Sequence, residues 1–240
     1  LQLIDKYEGS SLSFRGNTSM IGNSLDNLNG YLLFDSIYFA NAGKELTMEQ
    51  LLFESKVDNG SSRFTISSDL VNGYFEGEFK YSSIPNIVAS VVQTYLPALS
   101  GQNILKKQRF ESQGNHIDIN LVLSDTKLIS DVFELPFTLD GVTTVSGYVD
   151  DDNQELNLDV ATPYLSFGKR MIQNVVLNFD NNNNQLNLDA SGNYNQKNTF
   201  LDFNLKANAL NDSLYTQFEW HNRDSVVNAG ELQFNTKFTK

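Results

Sequence analysis

Apolar and polar residues alternate along this chain almost from end to end, and a period of two is the signature of half-buried β-strand. Phe64, Ile66, Ser68 and Leu70 point one way while Thr65, Ser67 and Asp69 point the other. Phe75, Gly77, Phe79 and Tyr81 repeat the scheme against Glu76, Glu78 and Lys80. Ile117, Ile119, Leu121 and Leu123 follow, then Leu156, Leu158 and Val160, then Leu177 and Phe179, then Leu186, Leu188 and Ala190. Leu201, Phe203, Leu205 and Ala207 precede Leu214, Thr216, Phe218 and Trp220, and Leu232, Phe234, Thr236 and Phe238 end the series. Strands with one apolar and one hydrated face belong to antiparallel sheet, because parallel strands covered on both faces read as unbroken apolar runs. The expected class is all-β, mainly antiparallel.

Short clusters of Gly, Asn and Asp separate the strands: DNGSS at 58–62, DDDN at 150–153, NNNN at 181–184, NALND at 208–212 and HNRDSVVN at 221–228. These residues supply left-handed backbone and side-chain-to-backbone bonds for tight turns. Their spacing predicts a meander in which consecutive strands are neighbours. Two stretches nearly repeat at an offset of 30 residues: DDDNQELNLDV at 150–160 and DNNNNQLNLDA at 180–190. One segment has a different period. In SSIPNIVASVVQTYLPALSG, Ile84, Ile87, Val88, Val91, Val92, Tyr95 and Leu96 form a helical stripe. Ser83 stands as its N-cap, Pro85 in its first turn and Pro97 at its end, which predicts a helical insertion over 83–99 between strand groups. A weaker helical pattern lies at 125–133.

About a dozen strands at ~4.8 Å make a sheet roughly 55 Å wide, and so wide a sheet must curl, split or close. One helix covers only part of its apolar face. The expectation is an elongated curved sheet, a groove or open-barrel-like form spanning 1–240, with apolar surface that the sheet must fold over or another molecule must cover.

The chemistry is sparse. The balance of 17 basic against 29 acidic residues, net −12, argues against nucleic acid, whose phosphates need a Lys/Arg surface. Cysteine is absent, so no disulfide, thiolate metal site or thiol nucleophile exists. No phosphate-binding glycine loop, nucleophile elbow or zinc-binding helix occurs, and no motif asks for a cofactor. The two histidines, His116 and His221, lie in or beside polar, turn-like stretches and read as surface residues. The acidic repeats fail as EF-hand loops. Counted from Asp150, the glycine position holds Glu155 and the last ligand position Ala161; counted from Asp180, these are Gln185 and Ser191. Both read as hydrated turns, with no metal. Asn17, Asn59 and Asn211 head glycosylation sequons, expected by chance in so Asn-rich a chain. No apolar run approaches the ~18 residues of a membrane span. No signal-peptide pattern is present, and a chain that opens on LQLIDKYEG and ends on the strand-like ELQFNTKFTK reads as a piece of something longer.

The segments GNTSMIGNSLDNLNGYLLFDSIYFANAGKELTMEQLLFES and RFTISSDLVNGYFEGEFKYSSIPNIVASVVQTYLPAL, with the later ELPFTLDGVTTVSGYV and SLYTQFEWHNRD, resemble the TamB branch of the AsmA-like envelope proteins, above all Asn-rich Bacteroidetes versions. The resemblance implies a taco-shaped β groove in a long periplasmic protein anchored in the inner membrane. It also implies phospholipid transport between membranes, assistance to the outer-membrane assembly machinery, and no catalytic residues. This chain lacks the family's anchor and C-terminal domain, so membrane contact would come only through parts outside it. On that basis the lipid-groove candidates, facing acyl chains, are Ile117, Ile119, Leu121, Leu156, Leu158, Leu177, Phe179, Leu186, Leu188, Phe203, Leu205, Phe218 and Trp220. The alternative is a self-contained β-sandwich module that binds glycan or protein and seals its apolar faces as a core. A hydrolase on a β scaffold ranks last.

Overall fold

The structure, a computed structural model, describes residues 10–41, 43–83, 94–98, 114–124, 126–127, 129–130, 135–196, 199–223 and 226–238. Its strands are β1 (Ser11–Ile21), β2 (Asn29–Asn41), β3 (Lys44–Asp58), β4 (Ser61–Ser68), β5 (Val71–Glu78), β6 (His116–Leu123) and β7 (Phe137–Asp140). They continue as β8 (Thr143–Asp150), β9 (Glu155–Phe167), β10 (Arg170–Asp180), β11 (Leu186–Gln196), β12 (Thr199–Leu210), β13 (Ser213–Asn222) and β14 (Ala229–Lys237). All belong to one 14-stranded antiparallel sheet that runs in chain order, with β1 and β14 at its two ends among the described residues. The meander follows from turn chemistry. Asn59 and Gly60 join β3 to β4 with φ of 49° and 91°, and Asn211 and Asp212 join β12 to β13 with φ of 50° and 58°. Paired left-handed residues are what a two-residue turn needs to match the right-handed twist of its strands.

The one departure from simple order is β7. Both β7 and β8 pair antiparallel with β9, at Tyr164–Phe167 and Glu155–Ala161, so 137–150 acts as one strand interrupted at Gly141 and Val142. Pro163 sits opposite the interruption and has no N–H to give to a ladder. Thr143, fully buried there, donates to Thr162 Oγ1 at 2.7 Å.

Residues paired across an antiparallel ladder share a face. The register carries one apolar row from β2 to β14: Leu32, Phe53, Ile66, Gly73, Leu121, Val145, Val160, Leu177, Ala190, Leu205, Phe218, Leu232. The next row is Met20, Gly30, Ser55, Phe64, Phe75, Ile119, Gly147, Leu158, Phe179, Leu188, Ala207, Thr216, Phe234. The opposite face is polar, with Glu54, Thr65, Tyr74, Asn120, Ser146, Asp159, Asn178, Asp189, Lys206, Gln217 and Gln233 in one row. Amide-to-carboxylate bonds lace it, Asn178 to Asp159 and Asn193 to Asp202 among them.

Among the described residues, one end of the apolar face is sealed. Phe79, Tyr95, Leu96, Ile117, Val149, Leu156, Leu186 and Ala209 form the buried cluster. The segment carrying Tyr95 is tied to the ends of successive hairpins. Thr94 Oγ1 bonds Gln154 Oε1 at 3.0 Å, Asn181 Nδ2 donates to the Tyr95 hydroxyl at 3.0 Å, and Ala98 N donates to Asp212 Oδ1 at 2.6 Å.

Two sequence expectations need correction or restriction. Of the stripe expected over 83–99, Ser83 and 94–98 are described, with a helical turn at Thr94 and Tyr95, Leu96 outside it and a 3-10 turn at Pro97 and Ala98, while 84–93 and 99 lie outside the described residues. Ser83, expected as the N-cap, closes a short 3-10 turn, Tyr81–Ser83, and its hydroxyl donates to Lys80 O at 2.7 Å, while the residues it was expected to cap lie outside the described residues. Of 125–133, Lys127, Ile129 and Ser130 are helical and most of the remainder lies outside the described residues. NALND and HNRDSVVN are shorter turns than expected, because β12 runs through Leu210 and β13 through Asn222. The sheet is a single open one. Among the described residues no helix is long and apolar enough to cross a membrane.

At the β12 edge facing β13, Asp202 accepts both Arg223 Nε and Nη2 at 2.7 Å. Arg223 holds the carboxyl below its ordinary value of 3.8, with the Asn193 amide and His221 acting the same way against a smaller burial effect. A folded pKa below the unfolded one stabilises above the unfolded value and is lost as pH falls through the folded one. Arg223→Gln is therefore expected to move the Asp202 titration upward, read by carboxyl-carbon NMR, and to erase its share of stability above pH about 4.

Candidate functional site

All thirteen candidate residues lie on the one apolar face: Ile117, Ile119, Leu121, Leu156, Leu158, Leu177, Phe179, Leu186, Leu188, Phe203, Leu205, Phe218 and Trp220. Ile117, Leu156 and Leu186 are buried in the sealed end, Ile119 and Phe179 pack half-buried against it, and the other eight are half-buried further along the face. At the β12–β14 end, Phe203 and Phe218 lie 6.1 Å apart and Phe218 and Trp220 5.8 Å apart. The indole is committed: a Cβ placed on Gly230 would fall 2.3 Å from its Cζ2, so the ring lies flat over that glycine.

An apolar concavity lies on strands the candidate set did not include. A cavity of about 430 Å³ is lined by Met20, Leu28, Leu32, Phe53, Ser55, Phe64, Phe75 and Tyr81. Its rings form a chain across β1–β5. Phe14 meets Phe34 edge-on at 5.0 Å, Phe34 meets Phe53 at 6.5 Å, and Phe53 stacks on Phe64 at 5.9 Å. Tyr81 continues it, edge-on to Phe64 at 5.9 Å and to the buried Phe79 at 5.4 Å. Edge-on and offset ring pairs add specificity to area burial.

Tyr81 closes this cavity at one end because the chain after β5 doubles back over the strand ends. Asp26, in the β1–β2 connection, accepts Ser82 N at 2.9 Å and Ser82 Oγ at 2.7 Å. Those bonds, the backbone one first, hold the Asp26 carboxyl below its usual range. Ser55 Oγ donates to Leu28 O at 2.6 Å and lies 3.0 Å from the Tyr81 hydroxyl. Burial pushes the Tyr81 phenol up, the Ser55 contact opposing it. Among the described residues Ser55 is thus the one polar side chain lining the cavity apart from that hydroxyl, and the two engage each other.

The sequence signal for these residues was blurred. YLLF at 31–34 and QLLF at 50–53 put apolar side chains on both faces, with Leu33 paired to Leu52 on the polar side. Periodicity alone leaves the phase of such runs open, and register decides it.

The polar face and its turns show little that reacts. His116 lies 3.3 Å from Asp118 and 3.5 Å from Asp150 and stacks on Tyr148 at 6.1 Å. His221 lies 3.3 Å from Asp202. Both histidines stand in strands rather than turns, on the hydrated face. The repeated acidic loops use their carboxylates on their own backbone. Asp150 accepts Asn153 N at 2.8 Å and its amide at 2.9 Å, and Asp180 accepts Asn182 N at 2.8 Å and the Asn187 amide at 2.7 Å. Burial acts to raise the Asp150 carboxyl but is outweighed by the Asn153 bonds and His116, which hold it low. Among the described residues no group of three or more His, Cys, Asp or Glu is placed to hold a metal ion. The 30-residue offset is one hairpin step: β9 and β11 flank β10, and Leu156, Leu158, Leu186 and Leu188 all face the apolar side. No protein-family model, curated protein or solved structure matches this chain.

Proposed function

We propose that this chain is a non-enzymatic segment of a periplasm-spanning, inner-membrane-anchored protein of the TamB/AsmA-like kind, whose apolar sheet face carries phospholipid acyl chains in outer-membrane biogenesis. The observation that supports it is the unbroken apolar row from β2 to β14, half-buried over most of its length. A curved or taco-shaped groove is the form such a face takes when lipid tails complete its cover. Each CH₂ withdrawn from water contributes about 0.8 kcal/mol, and a face with few polar groups lets a tail slide rather than lock. The Phe-lined cavity over β1–β5 is where a tail finds the most contact, and Leu188 and Phe203 mark the path toward β14. The glycan-binding alternative has less to stand on, because Trp220, its best stacking ring, already covers Gly230.

The test is lipid extraction and native mass spectrometry of the purified chain, with photocrosslinkers at Phe53, Leu188 and Phe203. Phospholipid adducts are expected at all three positions. A lipid-free chain, with adducts at none of them, would overturn the proposal. Phe53→Asp is expected to lower the adduct yield at position 188 by about tenfold, since it places a charge in the cavity wall.

A further inference from the structure

We propose that the tip of the β9–β10 hairpin is a docking surface for an anionic lipid bilayer. It gives the chain a membrane contact of its own, which the resemblance did not imply, and it does not depend on what the apolar face carries. The hairpin lies inside the sheet, and the strands on both sides of its tip, β7 and β11, belong to the described chain. Phe137, Phe167 and Arg170 stand in one row, since Phe167 pairs with both of the others. That row is on the apolar side. Two residues further in, Leu139, Leu165, Ile172 and Tyr194 pair across the same strands. A Cβ placed on Gly192 would meet Ile172 Cγ2 at 3.0 Å and Phe203 Cζ at 2.9 Å, so Ile172 shares the face of Phe203. Asn174, with φ of 51°, reverses the phase of β10 between Leu177 and Ile172.

This rim is exposed where the opposite rim is sealed by the Tyr95 segment. Phe167 is 61% exposed and Phe137 40%, and Lys169 and Arg170 are exposed beside them. Gly168, with φ of 60°, makes the tight turn with Lys169. β10 pairs with β11 from Ile172 onward, so Arg170 stands beyond that ladder. Two rings beside two cations at a strand end suit a bilayer interface. The rings enter the acyl boundary and the cations meet lipid phosphates, giving a weak and reversible contact.

A net charge of −12 opposes approach to an anionic surface, but the charge is unevenly placed. Asp150, Asp151, Asp152 and Glu155 stand at the β8–β9 turn, Asp180 at the β10–β11 turn and Asp212 at the β12–β13 turn, all at the other end of the strands. β9 has 13 residues, which puts the β8–β9 turn about 40 Å from the tip, against a Debye length of about 8 Å at physiological salt. Its repulsion is screened when the tip touches a bilayer. At longer range it turns the molecule so that the basic tip leads. Asp140, the β7 carboxylate, stands three pairs further in, on the hydrated face.

The test is co-sedimentation of the chain with phosphatidylcholine vesicles, with and without added phosphatidylglycerol. Binding is expected to the anionic vesicles alone and to be lost at high salt. Lys169→Gln with Arg170→Gln is expected to weaken it about thirtyfold, and Phe167→Ser about tenfold. Lys206→Gln removes a cation from the polar face away from the tip and leaves binding unchanged. The chain has no cysteine, so an environment-sensitive dye on an introduced thiol reports one site at a time. On Phe167→Cys its emission is expected to shift to the blue with anionic vesicles, and on Asp152→Cys, at the acidic end, it is not. Equal binding to neutral vesicles, an equal loss with Lys206→Gln, or a shift at Asp152→Cys would each overturn the proposal. So would a dimer dispersed by Phe167→Ser in a chain that binds no vesicle, because the tip would then serve a second copy. A chain that carries phospholipid yet ignores vesicles overturns this surface alone, and a lipid-free chain that binds them overturns only the acyl-chain reading.

Discussion

Gly147→Ala is expected to cost about 3 kcal/mol of folding stability, although it adds a single methyl group. Gly147 lies on the apolar face between Ile119 and Leu158, with φ of +155°. A Cβ there would fall 2.1 Å from Asn157 O and 2.8 Å from Leu158 Cα, both backbone atoms of the neighbouring strand. A side-chain tip can rotate away from such a clash, but a ladder cannot, so β8 and β9 would have to part at the middle of the sheet. Gly60→Ala is the control. Its φ of +91° is also unfavourable to a side chain, yet nothing lies within 4 Å. It is expected to lose only about 1 kcal/mol, the strain without the collision. Urea unfolding of both variants separates the two effects, and equal losses would show that the ladder yields freely.

Phe79→Ala is expected to destabilise by about 3–5 kcal/mol, as for a large side chain removed from a packed core. Phe79 is 5% exposed within the cluster that includes Tyr95, Leu96, Ile117, Val149 and Leu156, and its backbone oxygen accepts Ser62 Oγ at 2.9 Å. It also stands against Tyr81, which closes the Phe-lined cavity. The variant should therefore lose stability and also loosen the Ser55–Tyr81 contact, read as a change in tyrosine fluorescence. Leu232→Ala, on the same face but 48% exposed at the edge, is expected to change stability by no more than about 0.5 kcal/mol. A loss at Phe79 no larger than that would mean the Tyr95 segment does not seal the sheet end.

The contrast between these positions shows where sequence alone was informative. Phe79 and Leu232 obey the same alternation, and both fall on the apolar side. Nothing local distinguishes the buried one from the edge one; that depends on where each strand stands in the order and on what lies over it. Leu156 and Leu188 make the same point, the first buried under the Tyr95 segment and the second half-open, despite belonging to near-identical stretches. The β1–β5 cavity was hidden for a different reason. Leu33 and Leu52 are as apolar as Leu32 and Phe53, yet they pair on the hydrated face.

By itself, the sequence determined what is local: the strand period, the apolar phase of most strands, and the Asn/Asp/Gly turns that make each strand the neighbour of the last. The alternation of side chains and the left-handed turn residues act over a few bonds, so they can be read without a fold. Tertiary structure alone decided what depends on register and closure. It aligned the rows across the sheet and gathered the aromatic rings of β1–β5 into one cavity. It also set β1 and β14 at the two ends of the described sheet, because ladder pairing and cover join residues that the chain keeps far apart.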